Sequence, residues 1–255
     1  MALIRCDFFS EVLELSTSMT VLLPQATQAQ IGMQGQARAG DPPVLYLLHG
    51  LSDDDTIWLR RTSVERYVAP LGLAVVMPQV HRSFYCDQAH GGRYWTFLAE
   101  ELPAVVAGFF RVSQRREDTF VAGLSMGGYG AFKWALRHPD RFAAAASLSG
   151  ALDLGRLQRE GDRAPLMAAT FGDRSVAGSD DDLFRLLAQA QPATLPPLYL
   201  SCGSEDALIG DNRRFIAAAA ERGVALTSEI APGEHEWGCW DAGIRDVLDW
   251  LPLRA

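Results

Sequence analysis

The chain has 255 residues, of which 48% are hydrophobic and 21% charged, and its formal net charge at pH 7 is −8. A chain of this length can fold as one domain without disulfides or a structural metal, so we predict a single domain over residues 1–255. The negative charge disfavours nucleic acid and anionic membranes, and no stretch is long and apolar enough to span a bilayer. These properties favour a small-molecule substrate.

The cysteines and the N-terminus predict a cytoplasmic location. Cys6, Cys86, Cys202 and Cys239 lack the paired spacing of a zinc cage or a disulfide framework, so free thiols in a reducing compartment are expected. The first seven residues lack a basic start, an apolar core of signal length and a small-residue cleavage site.

Apolar patterning predicts alternating strands and helices over most of the chain. Residues 8–23 favour two short strands at a sheet edge, followed by an exposed connection over 25–41. Further strands are predicted at 44–48, 73–77, 119–122, 142–148, 198–202 and 225–230. Helices are predicted near 63–69, 95–110, 131–137, 211–222 and 241–251. This alternation predicts a mostly parallel sheet with helices on both faces.

The segment 153–190 departs from the alternation. Gly, Asp and Arg interrupt short helical pieces there, and no strand pattern is present. We therefore predict a small helical cap inserted into the domain, of the kind that shapes substrate access.

The clearest chemical signal is Gly123-Leu124-Ser125-Met126-Gly127, between a predicted strand and a predicted helix. A sharp turn of this kind strains the nucleophile's backbone and brings strand and helix close together, so glycines are needed on either side. The free N–H groups at the start of the helix favour developing negative charge. We therefore predict Ser125 as the nucleophile of an acyl-transfer reaction.

A serine hydroxyl is a weak nucleophile, so it requires a base, which in this arrangement follows the serine in the chain. Two histidines follow it, His138 and His235. His138 ends the helix that begins at Ser125 and lies turns away from the serine. His235 lies in a loop between the last predicted strand and the C-terminal helix, so we predict it as the general base.

The base needs a carboxylate that fixes its tautomer, and chain order places that acid between the serine and the histidine. Asp206 follows the strand 198–202, at the edge where active sites of open α/β sheets assemble, and we predict it as the acid. Glu205 is adjacent and remains an alternative, as does Asp153 more weakly. Asp211 is better explained as the N-cap of the following helix.

Hydrolysis passes through an oxyanion, which needs two converging N–H donors. The backbone of Met126 supplies the first and that of Leu51, after the strand 44–48, supplies the second. We expect His49 to order this loop rather than to transfer protons.

The fragment around His235 lacks the second histidine of a zinc protease, because position 239 is Cys239, so neither a metal nor another cofactor is predicted.

With these residues in place, the chain resembles the esterase D-like α/β-hydrolases and is most similar to bacterial tributyrin esterases. The stretches that carry the resemblance are 44–50, 58–66, 98–103, 122–130 and 234–237. It implies the α/β-hydrolase fold and a serine carboxylesterase that cleaves short-chain acyl esters through an acyl-enzyme. It also implies the triad Ser125, Asp206 and His235, and homo-oligomers of two or four chains.

Substrate identity stays open at this stage. S-formylglutathione hydrolase is the enzymatic alternative, although those thioesterases typically carry histidine where this chain has Tyr129. A hydrolase-like binding protein without activity is the second alternative. The aromatic residues Trp95, Tyr129 and Trp237 are candidates for substrate binding.

Overall fold

The computed structural model describes residues 1–253 and is built on one eight-stranded sheet. Its strands are β1 (Ala2–Ser10), β2 (Leu15–Leu23), β3 (Val44–Leu48), β4 (Ala74–Pro78), β5 (Thr119–Leu124), β6 (Ala144–Leu148), β7 (Leu198–Gly203) and β8 (Leu226–Ala231). They lie in the order β1-β2-β4-β3-β5-β6-β7-β8. The pairs β1–β2 and β2–β4 are antiparallel and the other pairs are parallel. The predicted mostly parallel sheet is confirmed.

The helices lie on both faces of the sheet. They are α1 (Ile57–Arg61), α2 (Val64–Val68), α3 (Tyr94–Thr96), α4 (Leu102–Phe109), α5 (Met126–Arg137), α6 (Leu154–Arg159), α7 (Ala164–Phe171), α8 (Leu183–Gln189), α9 (Ile209–Glu221) and α10 (Trp237–Trp250). A π-helical turn, Phe97–Glu101, joins α3 to α4. Along the buried β3, Leu45 and Leu47 pack with α1, α2 and α10, whereas Tyr46 and Leu48 belong to the opposite core. Covering both faces leaves the strand edge at the carboxyl ends for a site.

Several element boundaries differ from the sequence-based prediction. β1 begins at Ala2 rather than near residue 8, because the whole segment pairs with β2 although Arg5 and Asp7 interrupt its apolar pattern. Helix α10 begins at Trp237, ahead of the predicted 241, because the Glu236 side chain accepts the Gly238 N–H and caps the helix. Among the described residues, no helix combines the length and apolar character of a membrane span.

The segment 153–190 contains helices α6, α7 and α8 and, as predicted, no strand. A bidentate ion pair anchors it: two Arg156 nitrogens each lie 2.8 Å from an oxygen of the buried Asp211 in α9. The expectation that Asp211 is an N-cap is therefore wrong, because its carboxylate is turned toward α6 and Leu208 precedes the helix. That the segment acts as a cap stays a prediction, as do the domain limits.

A second buried ion pair connects this segment to α5. The ammonium of Lys133, which is fully buried, lies 2.6 Å from Asp181 Oδ1 and also donates to the Tyr85 carbonyl oxygen over 3.0 Å. Burial alone would raise the pKa of Asp181, but the charge and hydrogen bond of Lys133 outweigh it and hold that pKa below its ordinary value.

Replacing Asp181 by asparagine is therefore expected to lower the free energy of unfolding at pH 7 by about 3 kcal/mol, because it leaves a buried ammonium without its counter-charge. Since the folded-state pKa of Asp181 is depressed, the contribution is complete above the unfolded-state pKa and disappears as the pH falls through the folded-state value. Urea unfolding at several pH values checks both statements.

The neighbouring Asp180 provides a matched control. Its carboxylate pairs with Arg185 on the surface and is 63% exposed, so Asp180→Asn should change the free energy of unfolding by less than about 1 kcal/mol. Equal effects of the two substitutions would contradict the proposed importance of the buried pair.

Candidate active site

Ser125 occupies a strained turn between β5 and α5. Its φ is +53° and its ψ is −115°, in a region that residues other than glycine rarely adopt. The backbone is held from both sides: the Ser125 N–H donates to the Leu148 carbonyl oxygen (2.9 Å), and its own carbonyl accepts from the N–H groups of Tyr129 (3.1 Å) and Ala151 (3.0 Å). These bonds fix where the hydroxyl stands.

The turn requires glycine because strand and helix approach each other closely. A Cβ added to Gly127 would lie 2.3 Å from the Leu48 carbonyl oxygen and 2.8 Å from that of His49. A Cβ added to Gly123 would lie 2.4 Å from the backbone of Gly127. All three distances are far inside van der Waals contact, so the N-terminus of α5 packs directly on the end of β3.

We expect Gly127→Ala to lower the free energy of unfolding by about 2 kcal/mol, because α5 must move away from β3. The same movement should displace Ser125 and reduce ester hydrolysis, measured beside thermal unfolding. Gly108 in α4 is the matched control, since an added Cβ there meets no atom within 4 Å. Gly108→Ala should raise stability by about 0.5 kcal/mol and leave activity unchanged. A stable, fully active Gly127→Ala protein would contradict the packing argument.

Three side chains from separate loops form one hydrogen-bonded chain. His235 Nε2 lies 3.0 Å from Ser125 Oγ, and His235 Nδ1 lies 2.8 Å from Asp206 Oδ2. Asp206 follows β7 and His235 follows β8, so the parallel strands deliver both residues to the sheet edge where β5 ends at Ser125. The His235 ring also meets the Trp240 ring edge to face, with centroids 4.8 Å apart.

The environment of Asp206 suits a permanently ionised carboxylate. The side chain is buried, and its Oδ1 accepts the Leu208 N–H over 2.8 Å. Burial alone would raise the pKa of Asp206, but the hydrogen bonds from His235 and Leu208 outweigh it and hold that pKa below its ordinary value. An ionised Asp206 keeps the proton of the neutral imidazole on Nδ1, so that Nε2 can accept a proton from Ser125.

The alternative acids lie elsewhere. The Glu205 carboxylate accepts the Gly233 N–H (2.6 Å) and the Ser204 hydroxyl (2.8 Å), which holds the turn after β7 against the loop that carries His235. Asp153 caps α6 by accepting the Arg156 N–H over 2.7 Å. Adjacent residues in a turn point in different directions, which is why Asp206 meets the imidazole and its neighbour does not.

The two N–H groups predicted to bind an oxyanion, those of Leu51 and Met126, have no acceptor within the part of the chain that the structure describes. His49 holds the loop that carries Leu51. The Nδ1 atom of His49 donates to the Gly50 carbonyl oxygen (2.7 Å), and the Nε2 atom of His49 accepts the Val80 N–H (3.1 Å). Burial lowers the pKa of His49, so the ring is neutral, and its two hydrogen bonds connect the loop after β3 to the loop after β4.

The three aromatic candidates for substrate binding lie in different surroundings. Tyr129 is fully buried and its hydroxyl donates to the Asp181 carbonyl oxygen over 2.8 Å. Trp95 packs against two residues of α5: Lys133 Nζ and Arg137 Cζ each lie 4.5 Å from the centre of its ring. Lys133 and Arg137 are eight and twelve residues beyond Ser125 in the chain. At 1.5 Å of rise per residue this is about 12 to 18 Å along α5, so the structure does not bring Trp95 to the serine.

The third candidate, Trp237, is partly exposed and lines an open groove of about 340 Å³ together with Ser52 and Asp53 of the loop after β3. A second groove, of about 440 Å³, also borders this loop and shares Ser52 and Asp53 with the first. It is lined by Leu51, Ser52, Asp53, His81, Arg82, Gln88 and Leu166.

Sequence reasoning missed the residues of the second groove that follow β4. The loop after β4 carries three non-glycine residues with positive φ, namely His81, Phe84 and Tyr85, and no sequence pattern predicts such a conformation. Leu166 comes from α7, so the segment 153–190 contributes a wall of this groove.

The strand order, the strained serine after β5 and the hydrogen-bonded Ser125, His235 and Asp206 define an α/β-hydrolase with a serine-type site. The model of the Esterase family, described as "Putative esterase", matches residues 10–251, and the chain belongs to this family. It is an enzyme that hydrolyses carboxylic esters. The predicted resemblance to an esterase family with the α/β-hydrolase fold is thereby confirmed.

Named relatives cover the same length. An acetyl esterase of Caldicellulosiruptor saccharolyticus is 29% identical over 262 residues, and the match covers 98% of each chain. Among solved structures, the substrate-bound fluorophosphonate-binding serine hydrolase F of Staphylococcus aureus is 34% identical with a TM-score of 0.88. The S-formylglutathione hydrolase of Staphylococcus aureus is 33% identical with a TM-score of 0.82. Each of these two structural matches also covers 98% of both chains.

Proposed function

We propose that this protein is a serine carboxylesterase that hydrolyses short-chain acyl esters through an acyl-enzyme. The observation that carries the proposal is the continuous hydrogen-bonded chain from Asp206 through His235 to Ser125. The free N–H groups beside it, in a loop and at a helix start, support the same chemistry.

In the proposed reaction, Ser125 Oγ attacks the ester carbonyl carbon while His235 Nε2 takes its proton. Asp206 stabilises the resulting imidazolium, and the N–H groups of Leu51 and Met126 bind the oxyanion. The tetrahedral intermediate collapses as His235 protonates the departing alcohol, which leaves an acyl-Ser125 ester. Water, deprotonated by the same imidazole, then attacks this ester, and His235 returns the proton to Ser125 Oγ as the bond to the acyl group breaks and the carboxylic acid leaves.

The substrate class rests on the resemblance to tributyrin esterases and on the acetyl esterase relative. The two grooves that border the loop after β3, about 340 and 440 Å³, suit a small acyl group and a small alcohol. We propose that the segment 153–190 acts as a small cap, supported by the position of Leu166 in one groove wall. We also propose a dimer or tetramer, which light scattering after gel filtration tests.

S-formylglutathione hydrolase is the second candidate, favoured by the relative of that name at 33% identity. Against it stands Tyr129, which occupies the position where such thioesterases typically carry histidine. The two candidates share every proposed step and differ only in the leaving group, a thiolate instead of an alkoxide. Substrate rates therefore separate them.

The test is covalent labelling by a fluorophosphonate, followed by hydrolysis rates on p-nitrophenyl acetate, butyrate and octanoate and on S-formylglutathione. The wild type should be labelled and Ser125→Ala should not. The ratio kcat/KM should be highest for acetate or butyrate and should fall for octanoate, because the grooves are small. Preference for S-formylglutathione would favour the second candidate, and absence of labelling in both proteins would contradict both.

A further inference from the structure

A separate cavity of about 370 Å³ lies at the edge of the sheet opposite the triad. Its lining includes Thr119, the first residue of β5, and Phe142, just before β6, whereas Ser125 follows the other end of β5. A six-residue strand spans about 20 Å, so the cavity is remote from the ester chemistry. Nothing in the proposed reaction uses it.

Two aromatic side chains that line this cavity carry polar groups without a protein partner among the described residues. Trp134 lines it and is 1% exposed, and its indole N–H has no acceptor among residues 1–253. Tyr46, 5% exposed, also lines it, and its hydroxyl has no hydrogen-bond partner in the same part of the chain. The indole N–H is itself closed off, whereas the Tyr46 hydroxyl is not among the buried atoms and can donate to an acceptor in the cavity.

A guanidinium stands beside these donors. Arg141 lines the cavity, donates through one nitrogen to the Ala99 carbonyl oxygen and lies close enough to Tyr46 to act on it electrostatically. Glu100 and Asp140 also line the cavity, but both are exposed, so water and salt screen their charges more than that of the half-buried guanidinium. The buried end of the cavity therefore favours an acceptor group, and an anionic one most.

The walls are aromatic. The rings of Tyr46 and Trp134 are 5.1 Å apart and inclined at 57°, and those of Trp134 and Phe142 are 5.1 Å apart and inclined at 76°. Val112 adds an aliphatic surface, and the π-helical turn Phe97–Glu101 contributes Glu100. π-Helical turns occur frequently at functional sites. A flat ring suits these walls better than a flexible chain does.

We propose that this cavity is a second ligand site, which binds a small aromatic monocarboxylate. The ring packs against Trp134, Phe142 and Val112, and the carboxylate accepts a hydrogen bond from the Tyr46 hydroxyl and pairs with Arg141. The site is independent of ester hydrolysis, so its existence does not depend on the proposed function.

The test uses full-length protein labelled with ¹⁵N-tryptophan and titrated with benzoate. The six tryptophans give six indole signals, and Trp134→Phe identifies the relevant one. Benzoate should move the Trp134 signal saturably, while Trp237 and Trp240 report on the triad side and should not move. Tyr46→Phe and Arg141→Gln should each weaken binding about ten-fold, the loss expected for one hydrogen bond to a charged group.

Arg111→Gln is the matched control, because this exposed arginine pairs with Asp41 and does not line the cavity. It should bind benzoate like the wild type, and all variants should keep wild-type esterase activity. Tyr46→Phe loses no protein hydrogen bond, so it should also fold normally. A Trp134 signal that does not move, or that moves equally in Arg141→Gln, overturns the proposal. Equal affinity for benzamide overturns the assignment to a carboxylate.

Discussion

Ser125→Ala is expected to lower kcat for ester hydrolysis by about a million-fold, the loss seen when the serine of a triad is removed. The substitution deletes the only atom of the residue that lies within hydrogen-bonding distance of His235. The free N–H groups of Leu51 and Met126 remain, so a residual rate above that of water should persist. Steady-state hydrolysis of p-nitrophenyl butyrate measures the effect.

The fold should survive this change. The backbone bonds that hold the turn, from Ser125 N–H to Leu148 and from Tyr129 N–H to Ser125, do not involve the hydroxyl. The midpoint of thermal unfolding should therefore stay close to that of the wild type. Ser228→Ala, on the exposed edge strand β8, is the control and should retain full activity. Unchanged hydrolysis by Ser125→Ala would refute the nucleophile assignment.

Asp206→Asn is expected to reduce kcat by about ten thousand-fold while the protein stays folded. An asparagine amide can donate to His235 Nδ1, which moves the imidazole proton to Nε2. That nitrogen then donates to Ser125 Oγ instead of accepting its proton, so the base is present in the wrong tautomer. Fixed-time assays of ester hydrolysis at high enzyme concentration can measure a kcat this low.

Glu205→Gln is the matched control, because the two carboxylates are adjacent and only one meets the imidazole. The glutamine side chain keeps an oxygen that can accept the Gly233 N–H. The hydrolysis rate of the variant should therefore stay within about ten-fold of the wild type, the effect expected when one hydrogen bond is weakened. A severe loss in Glu205→Gln together with a mild one in Asp206→Asn would transfer the role of the acid to Glu205.

The sequence alone was enough to propose Ser125 as the nucleophile, because the residues that form its turn are neighbours in the chain. Gly123 is required by a contact within the strand-turn-helix unit, and Gly127 by the close approach of α5 to β3, but both glycines stand at fixed positions beside Ser125 in one short stretch of sequence. His235 could be proposed as the base by elimination, since of the two histidines after Ser125 it is the one in a loop at the correct sheet edge. Fold class was equally accessible, because strand and helix periodicity repeats along the chain.

The sequence alone could not predict in which direction each side chain of a turn points. Glu205 and Asp206 have the same chemistry and differ by one position, and only the packing of the loop after β8 decides which one meets His235. The same holds for Tyr129 and Trp95. The Tyr129 hydroxyl donates to the carbonyl oxygen of Asp181, and the Trp95 ring packs against Lys133 of α5, so both contacts join residues far apart in the chain.

The sequence by itself determined that the protein is an α/β-hydrolase of the esterase type, because the signals for sheet, turn and chain order are local and repeated. Only the tertiary structure decided which carboxylate faces the imidazole, that Trp237 rather than Tyr129 borders an open groove, and that unpartnered donors of Tyr46 and Trp134 share a remote cavity. Those features bring together residues far apart in the chain, and their contacts depend on packing that no local pattern encodes.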